Sequence, residues 1–174
     1  MSEISAKING AAQQAATVFK GQRGIYAVLA KEHAEIASLL REAQEDTDPE
    51  HRHRLLRTVR HELLSHARAE ERTLYRALAV FDDTRSIVAH GHAEHDELER
   101  LLRNVTLFEL GSEAATQAIA DLRAAVGRHV EEEESDLFAR AQDLLYVAES
   151  RRLEDLFRSE KETEKRRLEL EVIL

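Results

Sequence analysis

Six residues of this chain have the types and the spacing to hold metal: His33, His66, Glu70, His95, His129 and Glu133. Imidazole nitrogen and carboxylate oxygen together suit first-row divalent cations. His66 and Glu70 stand four apart in "HARAEERTLY" (66–75), as do His129 and Glu133 in "HVEEEESDLF" (129–138). A spacing of four puts both side chains on one face of a helix, one turn apart, where both reach one centre. The lone histidines, His33 in "KEHAEIASLL" (31–40) and His95 in "AEHDELERLL" (93–102), complete each half. The chain thus reads as two helix pairs, each supplying one His and then a His-x-x-x-Glu. Two halves related by an approximate twofold are expected to hold two ions rather than one.

Several neighbours have weaker claims. His92 competes with His95, because an inward turn at His92 would reach the site through the space Gly91 leaves. Glu32 and Glu94 precede the lone histidines, as imidazole N–H acceptors or as solvated residues. Glu71 and Glu134 lie about 100° further round the helix than Glu70 and Glu133, facing water or partners of the ligands. Tyr75 and Phe138 hold equivalent repeat positions and are expected to pack near the site. His51, His53 and His61 fall off the apolar faces and are expected in solvent.

The elements that must position these groups are four long helices. "EDTDPE" (45–50) reads as a stop and restart, with Asp48 as N-cap and Pro49 in the first turn. "FDDT" (81–84) reads as a turn with Asp caps. In "LGSEA" (110–114), Gly111 ends one helix and Ser112 caps the next. The helices are expected over roughly 20–45, 49–80, 84–109 and 112–146, each end uncertain by about 2–4 residues. Short connections make neighbours antiparallel. The expected fold is all-α: an up-down-up-down four-helix bundle over 20–146 with a C-terminal helical extension. Residues 1–19 read as a polar N-terminal arm. Residues 149–174 read as a charged C-terminal helix, docked on the bundle or, as the runner-up, joining a homodimer.

Each helix carries an apolar stripe of the kind that faces a core. The first runs Ile25, Leu29, His33, Ile36, Leu40, and the second Val59, Leu63, His66, Glu70, Leu74, Leu78. The third runs Ile87, Gly91, His95, Leu98, Leu102, Val105, and the fourth Leu122, Val126, His129, Glu133, Leu137, Leu144. Every stripe is interrupted near its middle, and mid-helix positions of an antiparallel bundle meet at one height. Each unsatisfied buried polar group costs roughly 1–3 kcal/mol. Six in one layer would consume most of a stability of about 5–15 kcal/mol. A pair of dications removes that penalty by neutralising the carboxylates and accepting the imidazole lone pairs.

Composition narrows the function classes. The formal net charge of −9 argues against a nucleic-acid partner. The absence of cysteine excludes disulfides, thiolate metal sites and thiol catalysis. No run is apolar and long enough to span a bilayer, and no signal-peptide core is visible, so a cytoplasmic protein with no membrane partner is expected.

At the six candidate ligands the sequence resembles the hemerythrin-like HHE cation-binding family, over about residues 20–146. The resemblance implies a four-helix bundle around two non-haem iron ions joined by an oxide or hydroxide. It implies that the two glutamates bridge the irons and that the histidines cap them. It implies a small diatomic or peroxide ligand: O₂, peroxide or nitric oxide. Relatives that carry oxygen have a further histidine four before the third-helix ligand, and His-x-x-x-x-Asp on the fourth helix. Here those places hold Gly91, and Glu133 at spacing four. Two histidines per iron leave an open position on each, which suits oxidant chemistry better than clean oxygen carriage. An iron or oxygen sensor, or an iron donor resembling the iron-centre repair proteins, is the alternative. Imidazole and carboxylate also leave zinc or manganese open.

Overall fold

The computed structural model describes residues 23–171; the arm expected over 1–19 lies outside them. Helix α1 runs Ile25–Glu45 and α2 runs Pro49–Glu70. A π-helical turn, Glu71–Tyr75, leads into the short α3, Arg76–Leu78. Helix α4 runs Asp82–Val105 and α5 runs Glu113–Glu132. A second π turn, Glu133–Leu137, leads into α6, Phe138–Leu144, and α7 runs Val147–Glu171. All the regular structure among the described residues is helical.

The caps follow local chemistry. The Asp48 side chain accepts from the Glu50 amide at 3.0 Å with Pro49 behind it, and Ser112 accepts from the Ala115 amide at 3.1 Å. The Asp cap expected in "FDDT" is not formed. Phe81 is the N-cap residue, and Asp82 and Asp83 fall in the first turn of α4, where carboxylates favour the positive helix end. Thr84 completes the turn by donating its hydroxyl to the Leu78 carbonyl at 2.6 Å. Helix α4 also ends at Val105, not 109, because its apolar stripe ends there and Leu107 and Phe108 point outward. Buried Arg52 ties the two loops at that end together, donating to the carbonyls of Asp46 and Leu110.

The core is two apolar clusters with a polar layer between them. One gathers Ile36, Leu40, Val59, Leu63, Leu98, Leu102, Ile119, Leu122 and Val126. The other gathers Ile25, Leu29, Leu74, Tyr75, Leu78, Val88, Leu137, Phe138, Leu153 and Phe157. In α4 it is Val88 that is fully buried, while Ile87 packs at the margin. Burying one Leu or Phe side chain is worth about 1.5–3 kcal/mol, so either cluster alone anchors its end of the bundle. The candidate ligands lie between the two.

Helix α7 is a fifth element of the same fold. It packs along α2 and touches α1. Its inward face is Leu153, Phe157, Lys161, Glu164 and Leu168, while Leu156 is exposed.

Candidate metal centre

Helices α1, α2, α4 and α5 each bring one histidine to the layer, and His33, His66, His95 and His129 are all buried. Glu70 is fully buried and Glu133 is 4% exposed. His33 Nε2 stands 3.1 Å from His66 Nε2, and His95 Nε2 stands 3.2 Å from His129 Nε2. The imidazoles thus meet as two pairs, α1 with α2 and α4 with α5.

The carboxylates span both pairs. Glu133 Oε2 lies 3.2 Å from His33 Nε2 and 3.8 Å from His129 Nε2. Glu70 Oε2 lies 3.8 Å from His66 Nε2 and 3.6 Å from His95 Nε2. Neither carboxylate has a hydrogen-bond partner on either oxygen, so these are charge contacts only. Ligand atoms of His33, Glu70, His129 and Glu133 all fall within 4.8 Å of one another.

A glutamate backs every histidine. His33 Nδ1 donates to Glu134 at 2.9 Å, His66 to Glu32 at 2.9 Å, His95 to Glu71 at 2.9 Å and His129 to Glu94 at 3.0 Å. A carboxylate only accepts, so each Nδ1 carries a proton and each Nε2 points inward. Such outer carboxylates orient metal-binding imidazoles and raise their basicity. The spacing of Glu32 and Glu94 hinted at this role. That Glu71 and Glu134 reach across the bundle had no sequence signal beyond their place in the repeat. Each sits in or beside a π turn, which widens the helix where the next glutamate must point elsewhere.

Aromatic rings wall the layer. Tyr75 stacks on His95 with ring centroids 5.3 Å apart and planes at 4°, and Phe138 faces His33 at 6.4 Å and 16°. Phe157 of α7 meets His66 edge-on at 5.6 Å. Gly91 makes the Tyr75 position possible, since a Cβ there would stand 2.7 Å from Tyr75 Cζ. His92 does not turn inward through that space, which the Tyr75 ring fills. It is half-exposed, with Nδ1 3.4 Å from Glu71. Of the histidines expected in solvent, His51 pairs with Asp46 at the α1–α2 turn.

The metal-free electrostatics are frustrated. Burial, reinforced by Glu133, raises the Glu70 carboxyl well above its ordinary value. Burial also opposes charge on Glu133, but His33 and His129 outweigh it and hold that carboxyl well below the usual range. Burial would lower His33, yet Glu133 and Glu134 lift it to about 9. His66 falls to about 4 through burial and the neighbouring His33 charge. Burial lowers His95 as well, despite Glu71. A proton on His33 therefore lies between His66 and Glu133.

This donor set fits bound cations. Two ligands at about 2.1 Å and roughly a right angle on one ion lie roughly 3 Å apart, the separation seen in both imidazole pairs. Orphaned carboxylates reaching both pairs, and imidazole nitrogens set against each other, are the groups that bound cations satisfy.

The chain matches the hemerythrin HHE cation-binding domain over residues 19–141, and it belongs to that family. The fold is similar to the crystal structure of a hemerythrin HHE cation-binding domain-containing protein from Mycobacterium kansasii, with TM-score 0.73 and 24% identity. That likeness covers 83% of this chain and 88% of the other. The chain is also 28% identical over 123 residues to a protein of Nostoc sp. (strain PCC 7120 / SAG 25.82 / UTEX 2576) named DNA nickase. The match covers 69% of this chain but only 34% of that relative. Among the described residues, no helix is long and apolar enough to cross a membrane.

Proposed function

We propose that this chain is a non-haem di-iron protein that binds or reacts with O₂, peroxide or nitric oxide. His33 and His66 would hold one iron and His95 and His129 the other, with Glu70 and Glu133 shared between them. The observation that carries this reading is the pairing of Nε2 atoms at 3.1 and 3.2 Å, each carboxylate touching one histidine of each pair. When bound, two adjacent irons supply Lewis-acidic, redox-active positions for a small ligand.

The protein's own groups shape access. A cavity of about 290 Å³ leads from the surface between α4 and the second π turn to Tyr75, Gly91 and Glu133. On the opposite side, Phe157 closes over His66. The openness on both irons expected from the ligand count therefore meets unequal surroundings. Tyr75, raised well above its ordinary value by burial and by Glu133 and Glu70, keeps its hydroxyl proton and stands at the inner end of the cavity.

The test is metal analysis with visible spectra, recorded anaerobically, then with O₂, then with peroxide. Two irons per chain and a band that responds to either oxidant support the reading. Zinc alone, colourless, from an iron-supplied preparation sinks it.

A second reading is an iron-responsive sensor without catalysis. The contact of α7 with the layer favours it, because Lys161 reaches Glu32, the partner of His66, and Phe157 meets the His66 ring itself. Hydrogen exchange along α7 that slows sharply on metal loading, with no turnover of peroxide, would favour this reading over the first. The name of the Nostoc relative belongs to a protein about three times as long as the matched segment, and we carry no nicking activity over.

A further inference from the structure

We infer that His90, Glu94 and Glu132 form an outer divalent-cation site through which metal enters the buried centre. His90 and Glu94 stand one turn apart on α4, and Glu132 ends α5. His90 Nε2 lies 3.0 Å from Glu132 Oε2 and 3.7 Å from Glu94 Oε1. Ligand atoms of the three fall within 4.8 Å of one another. One imidazole and two carboxylates make a donor set for a hydrated first-row dication. His90 and Glu132 are more than half exposed, so such an ion keeps water ligands and leaves readily.

Two further observations give this cluster a purpose. All three residues line the cavity of about 290 Å³ whose inner wall is Glu133. Glu133 is 4% exposed and neither oxygen has a hydrogen-bond partner, so a buried carboxylate in charge contact only with His33 and His129 lies behind the outer cluster. Glu94 also serves both places: Oε1 faces His90, while Oε2 accepts the Nδ1 proton of His129 at 3.0 Å. An ion leaving the outer cluster meets a carboxylate at each stage, and Asp136 adds another at the wall. An acidic cleft of this kind concentrates cations and speeds their capture.

The other half of the repeat has no counterpart. The positions matching His90 and Glu132 are Val28 and Ala69, both buried and apolar. There Glu32, the match of Glu94, is paired with Lys161 instead. The duplicated ligand layer thus has one acidic gateway, on the His95–His129 side.

The inference rests on the buried centre only for the destination of the ion. Metal-free full-length protein is mixed anaerobically with Co(II), and the rise of ligand-field absorption is followed by stopped flow. In His90→Ala/Glu132→Gln, which leaves every buried residue intact, uptake is expected to slow by about tenfold or more while the Co(II) content of the buried centre is unchanged. Separately, protein already filled with Zn(II) is titrated with Mn(II) and followed by electron paramagnetic resonance. One further Mn(II) is expected per chain in the wild type and none in the double variant. Equal uptake rates overturn the gateway, and absence of the extra Mn(II) overturns the outer site. An extra Mn(II) in a protein whose buried layer takes no metal would keep the outer site, overturn its role as an entrance and remove the di-iron reading.

Discussion

Lys161 Nζ lies 2.6 Å from Glu32 Oε2, the same oxygen that accepts the Nδ1 proton of His66 at 2.9 Å. A lysine of α7 is therefore two contacts from a candidate ligand on α2. Burial opposes charge on Glu32, but His66 and Lys161 together pull its carboxyl down to about 2. Lys161→Met leaves Glu32 with His66 alone. Urea unfolding of the metal-free variant is expected to show a loss of about 1–3 kcal/mol, with faster metal release to a chelator. Lys165→Met removes only a more exposed contact with Glu62 and should stay within about 1 kcal/mol of the wild type. Equal effects at the two lysines would remove Lys161 from the site.

The two central glutamates should respond differently to the same change. Glu70 favours the protonated form without metal, and a glutamine resembles a protonated carboxyl. Glu70→Gln is expected to leave metal-free stability within about 0.5 kcal/mol of the wild type. Glu133 favours the ionised form beside His33 and His129, so Glu133→Gln is expected to destabilise by about 1–3 kcal/mol. Both variants should lose bound metal. Retention of two ions per chain in either one would disprove bridging by that residue.

The pH dependence follows from His33 and His66. His33 rises to about 9 in the folded protein, above an ordinary value of about 6.5, so its contribution is whole below about 6.5 and is lost as pH climbs to 9. His66 falls to about 4, so the folded state binds fewer protons there and loses stability as pH drops from about 6.5 to 4. The metal-free protein should be most stable near pH 6–7, measured as its unfolding midpoint across pH. Metal must displace the His33 and Glu70 protons, so loading should release protons at neutral pH and tighten toward pH 9. A dye that reports no proton release on loading would contradict these assignments.

Gly91→Ala tests the clearance for Tyr75. Alanine favours a helix by about 1 kcal/mol over glycine, so an open position would gain stability. Here the new methyl would press on a ring held flat against His95. The variant is expected to be less stable than the wild type in thermal unfolding, and Tyr75→Leu in the same chain should recover part of the loss.

No DNA binding is expected in a gel shift at physiological salt. A chain of net charge −9 lacks the excess of cations that holds phosphate. A retarded band that disappears as salt is raised would reopen the question.

Much of the site was legible because burial makes polar residues conspicuous. His33, His66, His95 and His129 break apolar stripes at matching heights, and the repeat made coincidence untenable. Less visible were the groups one contact further out. Glu71 and Glu134 reach their histidines through π turns, and no residue type announces a π turn. The composition of α7 is charged, so the sequence reads as a docked helix without showing which charged residues turn inward. Its signal lies in spacing: Leu153, Phe157, Lys161, Glu164 and Leu168 repeat by fours and threes, a stripe interrupted by a charged pair as the other stripes are by candidate ligands. Lys161 and Glu164 then pair with α1 and α2, and Arg72 of the first π turn meets Glu164.

The paired π turns also make chain length at two places a chemical variable. A π turn holds one residue more than an α-helical turn, so the segments on either side are out of phase by about 100°. Adding one residue to 71–75, beyond the one the π turn already absorbs, would rotate Leu74, Tyr75 and Leu78 off their cluster while His66 and Glu70 stayed in place. The same addition in the loop at 106–112 shifts no candidate ligand's phase. Tolerance should therefore be sharply uneven along helices that look continuous: at the two points where a central glutamate gives way to the aromatic wall, the loss of one residue is absorbed and the gain of one is not.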